Sequence, residues 1–197
     1  TGSNGESNAR APSVRGVRAP ASTYAALPRV RIDTTLGNLV VELESDRAPI
    51  TVSNFLKYVN ANFYDGTEFH RIISTFMAQG GGYDFVGGNF VPKSPLFSPI
   101  ALERTSTTGL SNLTGTLAMA RTGEPHSATA QFFINLVDND FLNHTAKDPQ
   151  GWGYAVFGKV TKGMDVVDAM AKVPTTTVGF FSDVPETPIE IVQVKLP

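Results

Sequence analysis

Three histidines, His70, His126 and His144, are the only imidazoles in the chain, and they stand far apart with no metal-type spacing. There is no cysteine, which excludes thiol catalysis, disulfides and cysteine-ligated zinc. Gly80-Gly81-Gly82 lacks the Gly-Lys-Ser/Thr ending of a phosphate loop, and no Gly-x-Ser-x-Gly elbow supplies a serine nucleophile. Asn112-Leu-Thr114 and Asn143-His-Thr145 match the glycosylation acceptor pattern, which is common by chance. None of these residues supports a thiol or serine-elbow nucleophile, a phosphate loop or a histidine metal site.

Four segments mix fixed cations and amides with apolar side chains. They are Phe69-His70-Arg71-Ile72-Ile73 with Phe76-Met77-Ala78-Gln79-Gly80-Gly81; Gly115-Thr116-Leu117-Ala118-Met119-Ala120-Arg121; Ser127-Ala128-Thr129-Ala130-Gln131-Phe132-Phe133-Ile134-Asn135; and Phe141-Leu142 followed by Tyr154-Ala155-Val156-Phe157-Gly158-Lys159-Val160 and Gly163-Met164-Asp165-Val166-Val167. In order and spacing they resemble the cyclophilin family, over about Val30 to Leu196. The details look most like bacterial cyclophilins, and the Val173-Pro174 and Val184-Pro185 tail is similar to the exported, periplasmic branch.

The resemblance implies a peptidyl-prolyl cis-trans isomerase with a groove on the flank of an eight-stranded barrel, acting on flexible proline-containing segments of client proteins and using no cofactor and no metal. Arg71, Phe76, Gln79 and Phe133 match the catalytic positions; Met77, Ala120, Arg121, Gln131, Phe141, Leu142 and Tyr154 match positions that hold the substrate. Arg121 stands where the eukaryotic pattern has asparagine, Phe141 where it has tryptophan and Tyr154 where it has histidine. The family's tryptophan helps hold the inhibitor cyclosporin, so Phe141 implies weak binding of that drug. A second reading of the same resemblance is a non-catalytic module that grips proline peptides as a chaperone or scaffold.

Such a site suits the reaction. Amide resonance sets a rotation barrier of ~18–20 kcal/mol, and the twisted state has a pyramidal proline nitrogen carrying a lone pair. A guanidinium stays protonated and presents several donors in a rigid plane, so Arg71 is the expected stabiliser of that nitrogen. His70 is expected to be structural.

The elements that must position these residues read as short strands. Val30 and Ile32 alternate with polar neighbours, and Leu39, Val41 and Leu43 do so again after a turn at Thr35–Gly37, which predicts a hairpin. Pro49 begins a helix carrying Val52, Phe55, Leu56 and Val59, ended by Asn62–Gly66. Further strands are expected at Thr67–Ile73, Phe76–Gln79, Thr116–Ala120, Phe132–Leu136, Tyr154–Val160 and Ile189–Leu196, and a second helix at Met164–Lys172. The apolar phase slips between Ile191 and Val192, predicting a bulge or burial on both faces. Gly80 to Pro99 reads as an irregular loop. The expected fold class is all-β: a closed eight-stranded antiparallel β-barrel capped by two α-helices.

Residues 1–28 read as a flexible leader, poor in apolar side chains and carrying +2, and residues 29–197 as the isomerase domain, carrying −4. With a net charge of −2, nucleic acid is an unexpected partner, and no apolar run is long enough to span a membrane. The chain is expected to be a monomer. Periplasmic localisation follows from the family details and the start at Thr1, with the cytoplasm as the alternative.

Overall fold

The computed structural model describes residues 26–197; the predicted leader lies almost wholly outside them. Strands β1 (Arg29–Thr34) and β2 (Gly37–Leu43) form the expected hairpin, with Val30, Ile32, Leu39, Val41 and Leu43 fully buried. Helix α1 (Pro49–Asn60) follows, with proline in its first turn. No side chain caps it at Ala48. Instead the Glu103 carboxylate accepts hydrogen bonds from Thr51 N and Oγ1, both at 2.6 Å, which satisfies an orphan donor and places negative charge at the positive end of the helix.

Next come β3 (Arg71–Ile73), β4 (Met77–Gly80), β5 (Tyr83–Val86), β6 (Asn89–Pro92), the single-turn helix α2 (Thr105–Thr108), β7 (Thr116–Met119) and β8 (Phe132–Asn135). A 3-10 turn (Asp140–Leu142), β9 (Val156–Lys162), helix α3 (Met164–Ala171), β10 (Thr175–Val178), β11 (Phe181–Pro185) and β12 (Ile191–Lys195) complete the chain. The main sheet runs β12-β1-β2-β9-β7-β8-β4-β3, antiparallel throughout. Its inner face holds the principal core. Phe55 of α1 reaches into that core against Tyr64, Phe132 and Phe157, with ring centroids 5.3, 5.6 and 5.1 Å away. Val166, Val167 and Met170 of α3 are buried in it as well.

Several expectations need correction. The described residues hold three α-helices rather than two. The segment read as irregular contains a hairpin, β5–β6, turned by Gly87-Gly88, both at positive φ. A Gly-Gly pair supplies the left-handed torsions of a tight hairpin turn, so the same residues that suggested an irregular loop build an element. A second hairpin, β10–β11, packs on the first through Phe181, whose ring lies 5.0 Å from Phe90 and 5.1 Å from Tyr83. The predicted phase slip in the last strand is a register shift: Asp33 pairs with Gln193 but Thr34 with Ile191, leaving Val192 unpaired and half-exposed.

The sheet is also not closed by strand pairing. Its edges, β3 and β12, meet only through the segments that precede them, at an isolated bridge between Glu68 and Glu190. Phe69 N donates to Ile189 O and Ile191 N to Thr67 O, while Glu68 N turns the other way to Tyr83 O. The sheet is therefore an open half-barrel with a hydrogen-bonded seam.

Glu68 sits in that seam, nearly inaccessible to solvent. Burial, then the charges of Glu190 and Asp84, raise its pKa from 4.5 to about 7. A raised carboxylate pKa favours the protonated fold, so its contribution is complete below the unfolded value and is lost as pH rises through about 7. Glu68→Gln is expected to raise stability by roughly 1–3 kcal/mol at pH 8 and to change it little at pH 4. Urea unfolding at the two pH values measures this, and an equal effect at both would remove the titration argument.

Candidate active site

The site begins as one row across four strands. Arg71 of β3 pairs with Gln79 of β4, Gln79 with Phe133 of β8, and Phe133 with Ala118 of β7. The adjacent row, Ile72, Ala78, Ile134 and Leu117, is buried in the principal core. Because strand side chains alternate between faces, burying the second row turns the first outward. There Met77, Ala118, Phe133, Leu142 and Val156 form a separate small cluster, with Phe76 and Tyr154 packed on its margin.

This outer cluster floors a depression of about 250 Å³ lined by Arg71, Phe76, Met77, Gln79, Ala120, Arg121, Phe133, Leu142 and Tyr154. Of the residues expected at the site, only Gln131 and Phe141 lie outside this lining, and both border it. Gln131 lines the adjoining depression and accepts from Gln79 Nε2 at 3.0 Å. Phe141 is largely exposed and stacks on Phe76, with centroids 5.6 Å apart. The sequence-predicted residues are thus brought to one place. A larger groove beside α1 involves none of them.

Arg71 is held by a relay of amides. Its Nη1 donates to Gln79 Oε1 at 3.4 Å, and the other end of that amide is tied to Gln131. Gln131 in turn fits because residue 82 is glycine: any Cβ there would collide with the Gln131 side chain. Neither Arg71 nor Arg121 makes an ion pair among the described residues, where the salt bridges are Arg29–Glu42, Arg31–Asp33 and Lys159–Glu42. Arg121 instead lies over the Tyr154 ring, 4.5 Å from its centroid, and donates Nε and Nη2 to Gly153 O and Nη1 to Thr122 O.

Sequence reasoning missed what backs the cup. Asn112, Asn135 and Asn139 are buried and joined: Asn135 Nδ2 donates to Asn112 Oδ1, and Asn139 Nδ2 to Asn135 Oδ1. Their remaining amide protons hold the backbone of the pocket walls. Asn139 Nδ2 donates to Phe76 O, and Asn112 Nδ2 to Leu142 O and Tyr154 O. Asn143 Oδ1 accepts from both Asn112 N and Nδ2. The available signal was four asparagines near the site segments, two of them noticed only as glycosylation patterns. With Asn112 fully buried, that pattern describes packing rather than a surface acceptor.

His70 precedes Arg71 and lies outside the cup lining, at the buried edge of the adjoining depression, its ring 4.6 Å from Tyr83 and 6.2 Å from Phe181. Burial, helped by the Arg71 charge, lowers its pKa to about 4, so it stays neutral at ordinary pH. Trp152 packs between His126 and His144, outside the cup lining.

Residues 29–196 match the family model described as "Cyclophilin type peptidyl-prolyl cis-trans isomerase/CLD". A peptidyl-prolyl cis-trans isomerase of Streptomyces antibioticus is 52% identical over 168 residues, covering 85% of this chain and 97% of the relative. Peptidyl-prolyl cis-trans isomerase B of Escherichia coli is 48% identical over 167 residues, covering 85% and 98%. A crystal structure of a Cryptosporidium parvum cyclophilin type isomerase, determined in the presence of the dipeptide Ala-Pro, superposes with a TM-score of 0.69 at 26% identity, covering 86% of this chain and 98% of that one. The chain belongs to the cyclophilin family. The reaction it catalyses is peptidyl-prolyl cis-trans isomerisation, the activity its family and its bacterial relatives are named for.

The asparagine network makes a prediction about the cup. Asn112→Ala removes the donor to two pocket carbonyls and one of the two acceptors of Asn135 Nδ2, leaving Thr116 Oγ1 as the other. It is expected to cost about 2–3 kcal/mol of stability and to raise KM for a proline peptide more than it lowers kcat. Urea unfolding and steady-state kinetics test this, and an unchanged KM would detach the network from the site.

Proposed function

We propose that this groove isomerises X–Pro bonds by gripping the pyrrolidine ring in the cup and presenting the Arg71 guanidinium to the proline nitrogen. The observation that carries the reading is the convergence of an unpaired, amide-tethered guanidinium with an apolar cup in one depression of about 250 Å³. In the planar ground state the nitrogen lone pair is delocalised into the carbonyl and accepts poorly. As the bond twists, the lone pair localises on a pyramidal nitrogen, and a donor aimed there is stronger in the transition state than before it.

Phe133, Met77, Phe76 and Leu142 fit a ring of proline's size, with methionine's flexible thioether filling gaps. Gln79 holds Arg71 by its carbonyl oxygen, and Gln131 fixes the orientation of the Gln79 amide. The main chain at Ala120 and Arg121 holds the substrate beyond the ring, while the carbonyl before proline swings. Raising exchange from ~10⁻² to ~10³ per second needs roughly 7 kcal/mol. A single charge-assisted donor supplies about 3–4 kcal/mol of that, and orientation of the held peptide supplies the remainder.

The clients that fit an open groove are unfolded or flexible proline-containing segments, taken up by a monomer. The tail's likeness to the exported branch supports a periplasmic site of action, which fractionation of the native cell would test. Cyclosporin is expected to bind weakly, because Phe141 offers a bare ring and no indole N–H.

Arg71→Ala is expected to lower kcat/KM by about 10²–10³-fold with little loss of stability, since the side chain lines a groove. A coupled tetrapeptide assay and thermal unfolding measure the two effects. Equal turnover would remove the mechanism, and peptide binding without turnover in the unmodified protein would favour the non-catalytic module. Phe141→Trp is expected to tighten cyclosporin binding about tenfold, read by calorimetric titration; an unchanged affinity would sink this role for position 141.

A further inference from the structure

Three depressions adjoin along this face: the cup, a polar one beside Gln131, and one beside Phe141, of about 250, 250 and 390 Å³. Arg121 is the one residue that lines all three. Among the described residues no aspartate or glutamate lines any of them, although residues 29–197 carry a net charge of −4. The groove is therefore a cationic strip on an otherwise acidic domain, with Arg71 at one side of the cup and Arg121 at the other.

Arg121 is also set in place rather than waving in solvent. Tyr154 supports one face of its guanidinium, Gly153 O accepts from Nε at 3.1 Å and Nη2 at 2.7 Å, and Thr122 O accepts from Nη1 at 2.9 Å. Gly153 sits at φ 71°, and a Cβ there would meet the Leu142 carbonyl oxygen, so only glycine brings this acceptor so close to the cup wall. A guanidinium has five N–H donors. The carbonyls engage three, and they neutralise none of the charge. Two N–H groups and a full positive charge remain for a ligand, already oriented, so little side-chain entropy is lost when a ligand is bound.

We propose that Arg121 selects X–Pro segments carrying a carboxylate side chain within two residues of the proline. This rests on the isomerase reading of the same groove and adds the substrate class. A glutamate or aspartate flanking a ring seated in the cup reaches the rim where Arg121 lies. There the guanidinium fork matches a carboxylate, and the flanking low-dielectric walls strengthen the pair. A lysine at that position meets two guanidiniums and no anion, so the discrimination is repulsive as well as attractive.

The test is a series of tetrapeptides differing only at one of the two residues before proline, occupied by Glu, Gln or Lys. For the unmodified protein at low salt, kcat/KM is expected to be about fivefold higher for Glu than for Gln and lower again for Lys, with the spread shrinking at high salt. Arg121→Gln is expected to bring the three within about twofold of one another, whatever it does to their common level. Peptide affinities of the Arg71→Ala protein, measured by calorimetric titration, should keep the order Glu over Gln over Lys even without turnover. A flat series in both kinetics and affinity, or an order unchanged in Arg121→Gln, overturns the proposal. Failure of every peptide to turn over would instead strike the isomerase reading, leaving the affinity series to decide this one.

Discussion

The pairing register of β3, β4, β8 and β7 is the constraint from which the site follows. Ile72, Ala78, Ile134 and Leu117 form one row and face the core; Arg71, Gln79, Phe133 and Ala118 form the next and face out. A slip of one residue would carry the cation and its Gln79 partner into the interior of the sheet and expose four apolar side chains. Burial of the inner row therefore fixes the outer one. The outward placement of the guanidinium comes at no separate energetic cost, since the same apolar burial that stabilises the sheet aims it.

Strands define only the floor, and the walls come from irregular segments. Phe76 lies in a turn, Leu142 ends a 3-10 turn, and Tyr154 precedes β9. Asn112 and Asn139 donate to the carbonyls of these irregular segments from beneath, and Asn135 joins the two. A fully satisfied buried network is costly to rearrange, because any shift strands a polar group away from water. The cup is thereby rigid on its polar underside while its mouth stays apolar. Rigidity of this kind suits an enzyme whose task is to hold a substrate while one bond turns.

Charge is distributed to match. Carboxylates gather at the seam, where Glu68, Asp84 and Glu190 crowd together, and guanidiniums at the groove, where none is neutralised among the described residues. The seam is the weak side of the sheet, held by a bridge rather than a ladder. His70 stands between the two regions, next in sequence to Arg71 yet kept neutral by burial, so it adds no second positive charge beside the guanidinium.

Much of this was readable from residue order. The hairpin β1–β2, the proline-started helix and the bulge at Val192 follow from local rules, period-two alternation and fixed φ at proline, while the site residues were legible through the family resemblance of their segments. The two ribbons β5–β6 and β10–β11 did not, because their stabilisation is the mutual packing of Phe90, Tyr83 and Phe181, from segments roughly ninety residues apart. Nor did the asparagine lattice, since a polar residue shows its partner only once the chain has folded around it. What the amino-acid order alone determined was which residues alternate, cap and turn, since those choices are made by nearest neighbours. Whether the sheet closes, which carbonyls the buried amides reach, and that Arg121 rests on Tyr154 were decided only by tertiary structure, because each depends on distances between segments that no local preference encodes.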